Sequence, residues 1–143
     1  MTNDITPYNT SEEVRIVVKR FEACEFGPGE FHHSHHVTVA LCYLLESTEV
    51  NAIERMRAGL LRFLEHHGST KAYHETITVF WIKFVRHQLD QADGSSPLVD
   101  LANTVVAKCS NAAFINEHFS KELLGSEDAR RKWVDPDLQS LDD

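Results

Sequence analysis

Four of the nine histidines of this 143-residue chain fall in one run, Phe31-His32-His33-Ser34-His35-His36, which leads straight into Val37-Thr38-Val39-Ala40-Leu41. On a helix stepping roughly 100° per residue, His33 and His36 share the side carrying Val37, Ala40 and Leu44, His32 lies at its edge, and His35 points away. An imidazole turned into a core needs a metal ion or a polar partner. His74, in Tyr73-His74-Glu75-Thr76-Ile77-Thr78, projects onto the side of a second helix that also carries Trp81 and Val85. A first-row divalent metal takes three or four converging nitrogen or oxygen ligands. His33, His36 and His74 would supply three of them. Glu22, at the flank of the first helix, is the candidate fourth ligand or a catalytic base. Glu75 is the second candidate carboxylate, or an orienting partner for a ligating ring, although it projects off the inner face. Zinc or iron suits such a set, with metal-activated water for hydrolysis, hydration or lyase chemistry, or non-haem iron oxidation.

Arg57 is the other residue with chemistry to explain, because it projects onto the apolar face of Ile53, Met56, Leu60, Phe63 and Leu64. A guanidinium keeps its charge on burial, so it must meet a carboxylate or an anionic ligand. The protein partners on offer are Glu22, Glu25 and Glu75; the ligand would be a small carboxylate or phosphate, with Tyr43, Tyr73 and Trp81 placed to line its pocket.

The totals exclude much else. A net charge of -8 argues against a nucleic-acid partner. No apolar segment approaches the roughly 18 residues of a membrane span, and the polar start predicts no secretory signal, so a cytoplasmic protein is expected. Cys24, Cys42 and Cys109 are far apart and form no CxxC, which predicts buried free thiols. The chain holds no phosphate-binding glycine loop or dinucleotide fingerprint, and hence no nucleotide cofactor is expected. His74-Glu75 opens like the zinc-protease pattern but lacks its second histidine.

The elements that must position these residues are helical. Thr10 or Ser11 with Glu13 signals a start, and Val14, Val17, Val18 and Phe21 continue at helical spacing to about residue 24. After the turn Gly27-Pro28-Gly29, further helices are predicted at about 30 to 47, with Glu30 in the first turn, about 50 to 66, about 70 to 91 and about 97 to 108. A shorter one follows at about 111 to 119, and a last helical piece after Gly125-Ser126 that stops before Asp135-Pro136. The expectation is all-α: a single-domain helical bundle of about five to six helices over 1–143. Residues 1–10 are expected to be loose, and residues 126–143 to form a short helix and a wrapping tail.

Phe21-Glu22-Ala23-Cys24, Glu30-Phe31-x-His33-x-x-His36, Arg57-Ala58-Gly59, Tyr73-His74-Glu75-Thr76-Ile77-Thr78 and Trp133-Val134-x-Pro136-Asp137-Leu138 together resemble a family of small uncharacterised bacterial proteins. The resemblance spans about Phe21 to Leu141. It implies that His33, His36 and His74 are kept while His32 and His35 vary; Phe31-His32 stand where the family often has Trp-Thr. It implies no reaction and no cofactor. From the residues themselves, the expected function is a metal-dependent small-molecule enzyme, with assembly as a homodimer allowed, against a metal-free protein that senses or holds a small anion, or a structural oligomer whose tail from Trp133 to Leu138 docks on a neighbour.

Overall fold

The computed structural model describes residues 7–27 and 29–141. Five helices of eleven residues or more build the bundle: α1 (Ser11–Glu22), α2 (His33–Glu46), α3 (Glu49–His66), α4 (Glu75–Gln91) and α5 (Leu98–Lys108). A 3-10 turn at Ala112–Glu117, then α6 (Lys121–Leu124) and α7 (Glu127–Arg131), lead into the C-terminal tail. There is no strand among the described residues, so the fold is the expected all-α bundle.

The apolar run after the histidines explains the architecture. Every residue from Val37 to Leu44 is buried, and a helix apolar on all sides must be surrounded. α2 is accordingly the central element: it packs against α1, α3, α4 and α5, most extensively against α4. The surrounding helices are one-sided. α1 buries Val14, Val17 and Phe21, and α3 buries Ala52, Met56, Gly59, Leu60 and Phe63. The N-cap hydroxyls of Thr10 and Thr48 accept from the amides of Glu13 and Asn51 at 3.2 and 3.1 Å, satisfying first-turn donors of α1 and α3.

Two helix starts differ from expectation, each through a competing hydrogen bond. The helix expected from about residue 30 begins at His33, because Gly29 takes a positive φ of 78° and the Glu30 carboxylate turns back to the Gly27 amide at 2.6 Å instead of sitting in the first turn. His32 caps this helix, and its amide donates to His35 Nδ1 at 3.0 Å. The helix expected from about residue 70 is split. Thr70–Ala72 form a 3-10 turn, and His74, in extended conformation (φ −137°), accepts the Ile77 amide on Nδ1 at 3.2 Å, so α4 starts at Glu75. Within the segment expected to be loose, Tyr8 exchanges backbone hydrogen bonds with the Asn103 side chain (2.8 and 2.9 Å) and shares a hydroxyl contact with Thr38 at 2.8 Å. Residues 1–6 of that segment, and Pro28, lie outside the described residues.

The tail wraps as anticipated, and its anchors are on its own chain. The Leu138 amide donates to the His118 carbonyl at 2.9 Å, His118 Nδ1–H donates to the Gln139 carbonyl at 2.8 Å, and the Ser120 amide donates to the Asp137 carboxylate at 2.8 Å. Trp133 meets Phe119 edge to face at 5.8 Å. No helix of the described residues is long and apolar enough to cross a membrane.

Candidate functional site

The histidines fall into separate environments. His33 sits in the first turn of α2 with its ring 4.5 Å from that of Trp81, edge on, and its Nε2 is 2.8 Å from the Cys109 carbonyl. A carbonyl only accepts, so Nε2 carries the proton. Burial pushes the His33 pKa down against the opposing effect of that carbonyl. His36, beside Phe31 at 5.6 Å, is held neutral more strongly, its pKa lowered to about 4 by desolvation first and by His33 second. None of the described hydrogen bonds uses its ring. His35, expected to point away, lies against Phe26 (4.9 Å) and Phe31 (6.0 Å), which the chain ahead of α2 brings over it.

His74 does not join them. Its Nδ1 caps α4 and its Nε2–H donates to the Leu124 carbonyl at 2.7 Å, so both ring nitrogens are engaged by backbone. His33 contacts Trp81, seven residues along the chain from His74, which is about 10 Å of helix rise. Although α2 and α4 are neighbours, the cap is one end of α4 and the His33 contact is at its middle. The helical projection failed for His74 because an N-cap residue is not on the helix. Glu22, at the end of α1, accepts from Tyr43 Oη at 2.6 Å and pairs with Arg55 at 3.4 Å. Among the described residues no group of three or more His, Cys, Asp or Glu side chains is placed to hold a metal ion.

A different constellation does converge. Arg57, on α3, donates from Nε to Glu75 Oε1 at 2.9 Å and from Nη2 to Oε2 at 2.5 Å, and Tyr73 Oη donates to the same Oε1 at 2.5 Å. Glu75 was expected to lean off the inner face; it is buried, since α4 begins at that residue and its first turn packs on α3. Burial alone would raise the Glu75 carboxyl, but the hydrogen bonds from Arg57 and Tyr73 outweigh it and keep the group below the usual carboxylate range. Tyr73 is pushed up by burial and then by its bond to Glu75, and Arg57 by Glu75, so the trio is one cation, one anion and one neutral phenol at any physiological pH. Two of the five guanidinium N–H donors are taken by the carboxylate and the Tyr73 side chain adds a further contact, so the fork is held from two sides.

This trio forms one wall of an open groove of about 800 Å³. The opposite rim comes from α7 and the start of the tail: Arg130, Arg131, Lys132 and Trp133. Arg130 Nη2 also donates to the Lys71 carbonyl, tying the two rims together. Of the expected pocket aromatics, only Tyr73 lines this groove. Tyr43 is buried with its hydroxyl on Glu22, and Trp81 is buried against His33. Lys71, Arg130, Lys132 and Trp133 were not foreseen as site residues. The signal was three consecutive cations followed by Trp in an acidic chain.

Cys42 and Cys109 are buried free thiols, raised by burial to about 11 and about 12, which leaves them inert as nucleophiles; Cys24 is partly exposed. Compared with known proteins, the chain matches no family model, no curated protein and no solved structure.

Proposed function

We propose that this is a helical binding protein, a sensor or accessory module, that holds a small anionic molecule in the groove at Arg57. The observation that supports the reading is the Arg57–Glu75–Tyr73 arrangement: a carboxylate and a phenol hold the planar fork of a half-buried arginine at the edge of an open groove. A guanidinium fixed in this way loses little freedom when it engages a carboxylate or phosphate, and such paired hydrogen bonds are among the stronger polar contacts. The free cysteines fit a reducing, cytoplasmic setting.

Isothermal titration with a panel of small carboxylates and phosphates tests it. At least one member binds the wild-type protein, Arg57→Met weakens that binding tenfold or more, and Arg57→Lys is intermediate because it keeps the charge and loses the fork. Circular dichroism and urea titration of each variant separate loss of the ligand from loss of the fold. A fully silent panel, or binding indifferent to both substitutions, contradicts the proposal.

A metal remains the second reading, on the specific ground that His36 has ring nitrogens used by none of the described hydrogen bonds and lies one helical turn from His33. Zinc or iron there, with Glu22 or His74 as a further ligand, requires those two side chains to leave their present partners. Metal analysis of protein purified without a histidine tag decides it. Less than about 0.1 equivalent of any transition metal, with stability unchanged in chelator, ends this reading.

A further inference from the structure

The groove carries more positive charge than one carboxylate would match. Five cationic side chains line it, Arg57, Lys71, Arg130, Arg131 and Lys132, against two carboxylates, Glu75 and Glu127. Glu75 neutralises Arg57 at 2.5 Å and Glu127 pairs with Arg131 at 3.4 Å. A surplus of three positive charges, on Lys71, Arg130 and Lys132, is therefore concentrated here in a chain whose net charge is -8. All three are exposed, and together they raise the local concentration of anions at this seam.

The groove is also amphipathic. Leu61 lies along it and is 38% exposed. Trp133 stands at its end in a fixed pose: Phe119 abuts the ring, Lys83 Nζ lies 5.5 Å from the ring centre, and the indole N–H donates to Asp135 at 3.3 Å. An indole held this way is a ready wall for a flat apolar group.

Resting on the anion-binding reading above, we infer that the ligand is a soluble phosphate monoester with a flat apolar body. Its phosphoryl group sits among Arg57, Lys71, Arg130 and Lys132, and its body lies against Leu61 and Trp133. A phosphate monoester carries about 1.5 to 2 negative charges at pH 7 and presents three acceptor oxygens, which suits several cations better than the single charge of a monocarboxylate does.

Titration at fixed low salt with phenyl phosphate, inorganic phosphate and benzoate tests the inference. Phenyl phosphate should bind at least tenfold more tightly than either of the others. Lys132→Ala should weaken phenyl phosphate severalfold and leave benzoate nearly unchanged; the fold is preserved because Thr76 Oγ1 donates to the backbone carbonyl of Lys132, which alanine retains. Benzoate binding as tightly as phenyl phosphate overturns the phosphoryl assignment while the anion reading stands, and inorganic phosphate equal to phenyl phosphate overturns the apolar body. If none of the three binds while another anion does, this inference falls alone; if the whole panel is silent, both fall. Co-sedimentation with phosphatidylcholine vesicles carrying phosphatidic acid, without phenyl phosphate binding, places the same chemistry on a membrane and also overturns it.

Discussion

Imidazole in this chain works mainly as a donor to distant backbone. His33 donates to the Cys109 carbonyl, His67 to Phe26, His74 to Leu124 and His118 to Gln139, each bridging segments at least 21 residues apart. Carbonyls at helix ends and in loops otherwise lack partners, and a neutral ring N–H satisfies them without burying a charge. The His36 ring is used by none of the described hydrogen bonds, and it shows the consequence of enclosure most clearly. Its folded pKa of about 4 lies below the ordinary value of 6.5, so between those values the unfolded chain binds the proton more readily. Stability is therefore full above about pH 6.5 and falls as pH drops toward 4, by about 2 to 3 kcal/mol for this group. His33 and His35 shift in the same direction. Urea denaturation at pH 7 and pH 5 checks the loss, and His36→Leu should flatten it. Equal slopes in the two proteins would show that His36 does not carry the effect.

At the scale of elements, the sequence is legible where a one-sided periodicity decides the outcome. Val14, Val17 and Phe21 announce α1 as a one-sided helix; the same reading makes α2 one-sided, through Val37, Ala40 and Leu44, whereas every residue from Val37 to Leu44 is buried. Helix starts were less legible. Glu30 and His74 each sit where a side-chain hydrogen bond to a local amide ends the regular conformation, and such bonds compete with the helix without leaving a spacing signature. Placing His74 inside a helix aimed it at His33 and turned Glu75 outward; placing it at the cap reverses both. The Arg57–Glu75 pair was among the partners the sequence offered, whereas the cationic rim was not legible, because only the wrapping of α7 brings it across from α3. The packing of α3 on α1 supplies a prediction of its own. A Cβ at Gly59 would stand 2.5 Å from Phe21 Cε2, and Phe21 is pinned by its stack on Phe31 at 4.8 Å. Gly59→Ala should therefore cost about 1 to 3 kcal/mol in urea denaturation despite the gain in helix propensity. A stabilised variant would mean that α1 shifts freely.

For the molecule as a whole, the tail is what completes the groove proposed to bind the anion. Held by His118, Ser120 and Thr76, it carries Lys132 and Trp133 to the groove whose other wall is Arg57, Tyr73 and Glu75. The chain is acidic, yet five of its 14 Lys and Arg residues line this seam between the bundle and its wrapping segment. Residue-resolved NMR during a phenyl phosphate titration tests this most directly. The indole N–H of Trp133 and the amides of Lys71, Tyr73 and Lys132 should shift together and saturate, and Arg57→Met should abolish the response. Saturable shifts confined to His33, His36 and their neighbours, or no shifts at all, would contradict the assignment of the groove as the binding site.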